Sequence, residues 1–170
     1  MQLDHYSSKF EKNQFEIILV TDNVTRPANV GSIFRVADAF GVEKLILGGR
    51  AIELNRKVWN TSRATEKVVC FEQTENFQNV IKNLKKEGYS VICLEITENS
   101  KSISEIQLEN NQKIVLVVGS ERNGIQHETL TCADSVYHIP MYGQNSSMNV
   151  AQATSIALYE ITKLLSNAES

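Results

Sequence analysis

The sequence predicts one α/β domain, a mostly parallel sheet with helices on both faces. Short apolar segments of strand length alternate along the chain with longer segments of helical spacing. The apolar segments run without the in-and-out alternation of a half-wet strand, as expected where helices cover both sheet faces. The 170 residues, 42% apolar and 22% charged, suit a single core, and no linker, repeat or low-complexity stretch divides them.

Residues 16–21 (EIILVT) are apolar and β-branched and predict a buried strand. Pro27 opens a helix that runs to about residue 40, and Gly41 stops it. Proline's fixed φ and missing N–H suit the first helical turn, and glycine tolerates the left-handed conformation past the last. Residues 44–47 predict a short strand closed by Gly48-Gly49. Residues 50–67 are polar, rich in Arg and Lys and weakly periodic, so a loop with a short helix is expected there. A strand at 68–71 precedes a helix at 74–87, with Phe77, Val80, Ile81 and Leu84 at helical spacing and Gly88 at its end. Residues 89–96 and 114–118 predict further strands, the second running into the loop Gly119-Ser-Glu-Arg-Asn-Gly-Ile125. Residues 136–139 form the last predicted strand. A glycine- and serine-bearing loop follows, then a helix from about residue 149 to 165 with Val150, Ala153, Ala157, Ile161 and Leu164 in one stripe.

Composition excludes collagenous, disulfide-rich and intrinsically disordered classes. Cys70, Cys93 and Cys132 are odd in number and far apart, which predicts reduced core thiols in a cytoplasmic protein. The first ten residues, MQLDHYSSKF, lack the apolar stretch of a secretion signal. Runs such as 114–118 are too short to span a bilayer, so no membrane association is expected. The formal net charge of −3 argues, taken whole, against a polyanionic partner. It hides an asymmetry. Residues 1–67 hold ten basic and eight acidic side chains, whereas residues 68–170 hold seven and twelve. Five of the six arginines fall within the first 63 residues, so one basic surface is compatible with the acidic total.

Ligands of open parallel sheets bind beyond the carboxyl ends of the strands. Three segments there carry unusual residue sets: 29–35, 119–124 and 139–149. Singly, each has a structural explanation. Asn29 can satisfy free N–H groups in the first helical turn, Asn149 or Ser147 can cap the final helix, and Gly124 can serve a turn. Gly119 and Gly124 have P-loop spacing, but Ile125-Gln126 replaces the Lys-Ser/Thr that a triphosphate and its magnesium require. No Gly-x-Gly-x-x-Gly follows the first strand, which leaves a dinucleotide fold unsupported. His5, His127 and His138 are scattered, and neither a Ser-His-Asp spacing nor a metal-binding cluster is present.

Together the segments point elsewhere. Asn29-x5-Arg35 with Gly41, then Val118-Gly-Ser-Glu-Arg-Asn-Gly-Ile125, then Ile139-Pro-Met-x-Gly-x3-Ser147-Met-Asn-Val-Ala resemble, in order and spacing, the three motifs of the SpoU/TrmH family. These are RNA 2′-O-ribose methyltransferases of the SPOUT superfamily, and the resemblance covers about residues 16–165. Leu94-Glu-Ile-Thr97 is similar to the strand end that the family places beside its cofactor.

The resemblance implies an α/β sheet with a C-terminal deep trefoil knot, built here from about residues 119 to 165. It implies S-adenosyl-L-methionine as cofactor, with Leu94, Gly119, Ile139 and Met148 lining the adenosine pocket. It implies methyl transfer to a ribose 2′-hydroxyl, with Asn29, Arg35, Glu121, Ser147 and Asn149 at the site. Arg35 has the family's base position. A guanidinium is normally protonated at every accessible pH, so stabilising the alkoxide and clamping a phosphate is the other reading. Asn29 would orient Arg35 or the ribose, Ser147 and Asn149 would position substrate and cofactor tail, and Glu121 would fix the knot loop through main-chain hydrogen bonds. The resemblance further implies a homodimer joined through the last and first helices, and no metal.

Larger relatives carry appended RNA-gripping segments, whereas here about fifteen residues precede the first strand and about five follow the last helix. The expectation is therefore a single domain over residues 1–170 that contacts RNA through Arg26, Arg50, Arg56, Lys57 and Arg63. Without an aromatic ladder for single strands, a structured RNA is favoured, tRNA first and rRNA next. A non-catalytic RNA-binding module of the same fold is the alternative.

Overall fold

The computed structural model describes residues 12–167. The N-terminal stretch weighed above as a secretion signal, and His5 with it, lie outside the described residues. In chain order the elements are β1 Phe15–Asp22, α1 Pro27–Ala39, β2 Val42–Gly48, α2 Arg56–Ser62, β3 Phe71–Thr74, α3 Phe77–Lys86, β4 Ser90–Leu94, β5 Lys101–Ser102, β6 Ile114–Gly119, α4 His127–Leu130, β7 Ser135–His138 and α5 Val150–Asn167.

The strands form one sheet in the order β3-β2-β1-β6-β4-β7-β5, and every neighbouring pair is parallel. The continuous apolar runs follow from that arrangement. In β1, Ile17 and Leu19 join Ile114 and Leu116 of β6 in a core against α1 and α5. Ile18 and Val20 point the other way and join Val115 and Val117 against Phe77 and Ile81 of α3. Each strand residue thus faces a helix layer. Phe34 ties three elements of the first layer together, lying edge-on to Phe71 at 4.9 Å and to Trp59 at 6.3 Å. Fully burying such a side chain contributes about 1.5–3 kcal/mol.

Several boundaries differ from the sequence expectation, each for a local reason. The strand expected at 68–71 forms at Phe71–Thr74, because a 3-10 turn at Thr65–Lys67 delivers the chain to β2 only at Phe71, opposite Leu45. Val68, the apolar residue that suggested an earlier start, is 71% exposed. The helix expected at 74–87 begins at Phe77. The strand expected at 89–96 ends at Leu94, where the Glu95 carboxylate takes the Ile96 N–H at 3.0 Å and turns the chain out of the ladder. The two-residue β5 and four-residue α4 are too short to leave a periodic signal.

The cysteine expectation needs one correction. Cys93 and Cys132 are buried, but Cys70 is exposed, at the turn that precedes β3. Burial pushes the Cys93 thiol up to about 12, which suits a packing residue and not a nucleophile. Among the described residues, no helix is long and apolar enough to cross a membrane.

Candidate functional site

The carboxyl ends of β4, β6 and β7 open onto a cavity of about 190 Å³. Its walls are Leu94–Ile96 after β4, the loop that leaves β6, and the segment between β7 and α5. Val150 and Ala153 of α5 close one side. The position is where ligands of parallel sheets bind. Leu94, Gly119, Ile139 and Met148, the residues the resemblance assigns to the cofactor, all line it, as do Glu121 and Ser147. Apolar side chains with main-chain N–H and C=O groups at their edges suit a flat heterocycle better than a phosphate.

The loop after β6 is held shut by two carboxylates that sequence reasoning did not assign. The buried Asp22, which ends β1, accepts the Gln126 N–H at 2.9 Å and the Asn23 side-chain amide at 2.9 Å. Glu95 accepts the Ile125 N–H at 2.8 Å. Within the loop, the Gly124 N–H donates to the Ser120 carbonyl at 2.8 Å. Gly124 sits at φ 64, and a Cβ there would lie 2.4 Å from the Glu95 carboxylate. Glu121 was expected to fix this loop through main-chain bonds. Among the described residues its partners are instead side chains, the Asn149 amide at 2.9 Å and the Arg26 guanidinium at 2.9 Å.

Asn149 joins the three motifs. Its side-chain amide donates to Asn29 and to Glu121, each at 2.9 Å, so the start of α1, the loop after β6 and the start of α5 share one group. Its carbonyl oxygen caps α5, accepting the Ala151 N–H at 2.9 Å and the Gln152 N–H at 3.4 Å. The helix-cap reading of Asn149 made from sequence therefore holds, and the same side chain also joins two other segments. Asn149→Ala is expected to cost about 2–4 kcal/mol, the sum of a lost cap and part-buried hydrogen bonds. Asn149→Asp keeps the cap but sets a second negative charge beside Glu121. Thermal unfolding should therefore rank the two variants with aspartate nearer the parent protein.

Arg35 stands apart from this cluster. Six positions at about 100° each separate it from Asn29 by about 120° around α1. Asn29 spends its side-chain oxygen on Asn149, and among the described residues no hydrogen bond links it to Arg35. Arg35 instead lies one turn beyond Gly31, where α1 packs against Val58 and Thr61 of α2. It is exposed and has no ion-pair or hydrogen-bond partner among the described residues.

Of the five residues expected at RNA, Arg26 is already paired with Glu121, although 76% of its side chain stays exposed. Arg50 follows β2, Arg56 and Lys57 open α2, and Arg63 ends it. All four are exposed, and none has a carboxylate partner among the described residues. Lys44, Lys85, Lys113 and Lys163 elsewhere on the molecule are each ion-paired. His138, which was not assigned, lines the cavity and places Nδ1 3.0 Å from the Ser100 hydroxyl. Among the described residues, no group of three or more His, Cys, Asp or Glu side chains is placed to hold a metal ion.

A parallel sheet whose cavity is walled by loops after β4, β6 and β7, with those loops cross-linked to the first helix, defines an α/β domain with a ligand cavity beyond its strand ends. The chain belongs to the SpoU rRNA Methylase family, whose model matches residues 16–159. It is 32% identical over 153 residues to the tRNA (guanosine(18)-2′-O)-methyltransferase of Aquifex aeolicus, covering 88% of this chain and 70% of that one. It is 33% identical over 159 residues to the 23S rRNA (guanosine-2′-O-)-methyltransferase RlmB of Blochmanniella floridana, covering 91% and 60%. The crystal structure of the A. aeolicus TrmH/SpoU tRNA modifying enzyme superposes with TM-score 0.83 at 30% identity, over 94% of this chain and 80% of that one. An AdoMet-bound rRNA methyltransferase from Sinorhizobium meliloti superposes with TM-score 0.81 at 25% identity, over 92% and 59%.

Proposed function

We propose that the protein transfers a methyl group from S-adenosyl-L-methionine to a ribose 2′-hydroxyl in structured RNA, with tRNA ahead of rRNA. The observation that carries this reading is the Asn149 side chain, which ties the walls of an apolar cavity to the helix bearing Arg35. The cavity fits an adenosine. It is apolar at Leu94, Ile139 and Met148, and Glu95 and Ser147 stand among its walls.

When bound, S-adenosylmethionine supplies a sulfonium methyl, whose S–C bond breaks with its electron pair returning to sulfur as the ribose O–C bond forms. The chain's residues must orient the hydroxyl and favour its alkoxide, because a neutral hydroxyl is a poor nucleophile. In this reading Arg35 carries that task, as proton acceptor or as the cation beside the developing charge. Glu121 and Ser147 stand among the cavity walls, Asn149 and Asn29 are hydrogen-bonded behind Glu121, and in this reading Ser147 positions the ribose. Transfer RNA is favoured because the A. aeolicus relative named for tRNA aligns over 70% of its length, against 60% for the relative named for rRNA.

RNA contact is assigned to this domain's own surface, at Arg50, Arg56, Lys57 and Arg63. Binding of tRNA should weaken linearly in log–log plots against salt. Arg56→Ala and Arg63→Ala should each flatten that slope by about 0.9. Equal slopes for parent and variants would remove those side chains from the interface.

We place the partner copy of a cytoplasmic homodimer against α5, where Ile156 and Tyr159 are 38% and 57% exposed. We also read the segment 119–165 as knotted. β7 lies between β4 and β5, although β5 follows β4 in the chain, so the connection at 95–100 crosses the end of β7. The deciding experiment is mass-spectrometric mapping of 2′-O-methyl nucleosides in tRNA and rRNA from a deletion strain, with restoration in vitro. Loss of one tRNA methyl group, restored by the protein, is the expected result. An unchanged profile overturns the substrate assignment.

A further inference from the structure

We infer that Glu95 makes the cavity favour a cationic cofactor over its neutral, demethylated product. The inference rests on the methyltransferase reading. Two carboxylates line the cavity, Glu95 and Glu121. Glu121 is compensated by Arg26 at 2.9 Å. Glu95 is not. Its oxygens accept only the main-chain N–H groups of Ile96 and Ile125, and no cation pairs with it among the described residues.

Among the described residues no lysine or arginine lines the cavity, and beside the His138 imidazole its acidic groups are one carboxylate paired with Arg26 and one without a cation. The hydrogen bonds hold the Glu95 side chain in place, so its field at the cavity is preorganised and costs no reorganisation when a ligand enters. A carboxylate accepts at about four lone-pair sites, so two N–H bonds leave its charge available.

S-adenosylmethionine and S-adenosylhomocysteine share their adenosine, amino and carboxylate groups and differ by the sulfonium methyl. The positive charge disappears when the methyl leaves. A fixed negative charge within about 8 Å then separates the two by roughly fivefold to thirtyfold, for an effective dielectric of about 20–40. Glu95 thereby favours loading and product departure, a specificity role distinct from its hold on the loop at Ile125. A purely structural carboxylate would support both ligands alike.

Titration calorimetry on the full chain separates these roles. Glu95→Gln keeps at most one of the two main-chain bonds, so both affinities should fall, but that for S-adenosylmethionine by a further factor of roughly fivefold to thirtyfold. Gly124→Ala, which crowds the Glu95 carboxylate without removing its charge, should weaken both ligands by similar factors. On the unaltered protein, sinefungin, with an ammonium in place of the sulfonium methyl, should bind more tightly than S-adenosylhomocysteine. That comparison needs no variant to fold. Equal losses for both ligands in Glu95→Gln, or no preference for sinefungin, overturn the inference alone. Failure of the unaltered protein to bind any of the three overturns the methyltransferase reading with it.

Discussion

Gly119→Ala is expected to abolish cofactor binding and to lower stability by about 3 kcal/mol or more, the largest structural effect expected of any single methyl group in the site. A Cβ at this position would lie 2.3 Å from the Gly124 carbonyl carbon, 2.4 Å from the Ile125 nitrogen and 2.6 Å from the Gly124 oxygen. Those are backbone atoms, so no rotamer change relieves the overlap. The loop must move, yet Glu95 and Asp22 anchor its far end through Ile125 and Gln126. Thermal unfolding should show a midpoint lower by about 6–12 °C, from about 2–4 °C per kcal/mol for a domain of this size. Gly143→Ala is the control, because nothing lies within 4 Å of an added Cβ there. A parent-like melting temperature and cofactor affinity for Gly119→Ala would mean that the loop adapts freely.

Arg35→Lys is expected to leave stability within about 0.5 kcal/mol of the parent, because the side chain is exposed and makes no partnered contact among the described residues. Methyl transfer should nonetheless fall about a hundredfold or more. A lysine keeps the positive charge but loses the planar fork that can hold a phosphate and a developing alkoxide together. Arg35→Ala should fall at least as far, again with an unchanged melting temperature. The contrast with Gly119 is the informative part. One variant loses function through the backbone, the other with the fold intact. Near-normal transfer by Arg35→Lys would exclude both the base and the clamp roles.

The legible part of the fold was its layered plan. The runs at 16–21 and 114–118 needed two covered faces to be apolar throughout, and β1 and β6 lie side by side between both helix layers. Pro27 and Gly41 bracketed α1 because proline and glycine act on their own backbone, without help from distant residues. The boundaries that shifted depended on partners. Val68 is β-branched and apolar, but no strand faces it, and pairing with β2 decides where β3 begins. Tyr89 to Ile96 read as one strand until Glu95 bonded to the next residue's N–H.

The site divides in the same way. Leu94, Gly119, Ile139 and Met148 were assigned through the family resemblance, and they meet at one cavity although they span 55 positions. Asp22 received no role, and Glu95 entered only within Leu94-Glu-Ile-Thr97, the segment similar to the family's strand end beside the cofactor. Their partners, Gln126 and Ile125, lie 104 and 30 positions away and are main-chain N–H groups, which carry no sequence signature. The resemblance had implied for Glu121 the role these two fill.

By itself, the sequence determined the α/β class, the three motif segments and the bias of arginines toward the first 63 residues. Those are properties of residue type and periodicity, which act locally. Only the tertiary structure decided that Asn149 is shared between Asn29 and Glu121, that Arg26 is occupied while Arg50, Arg56 and Arg63 have no carboxylate partner among the described residues, and that Glu95 has no counter-ion among them. Each of these is a matter of which charges and hydrogen-bonding groups meet across long chain separations. Electrostatic pairing depends on distance in space, and a linear order of residues does not contain it.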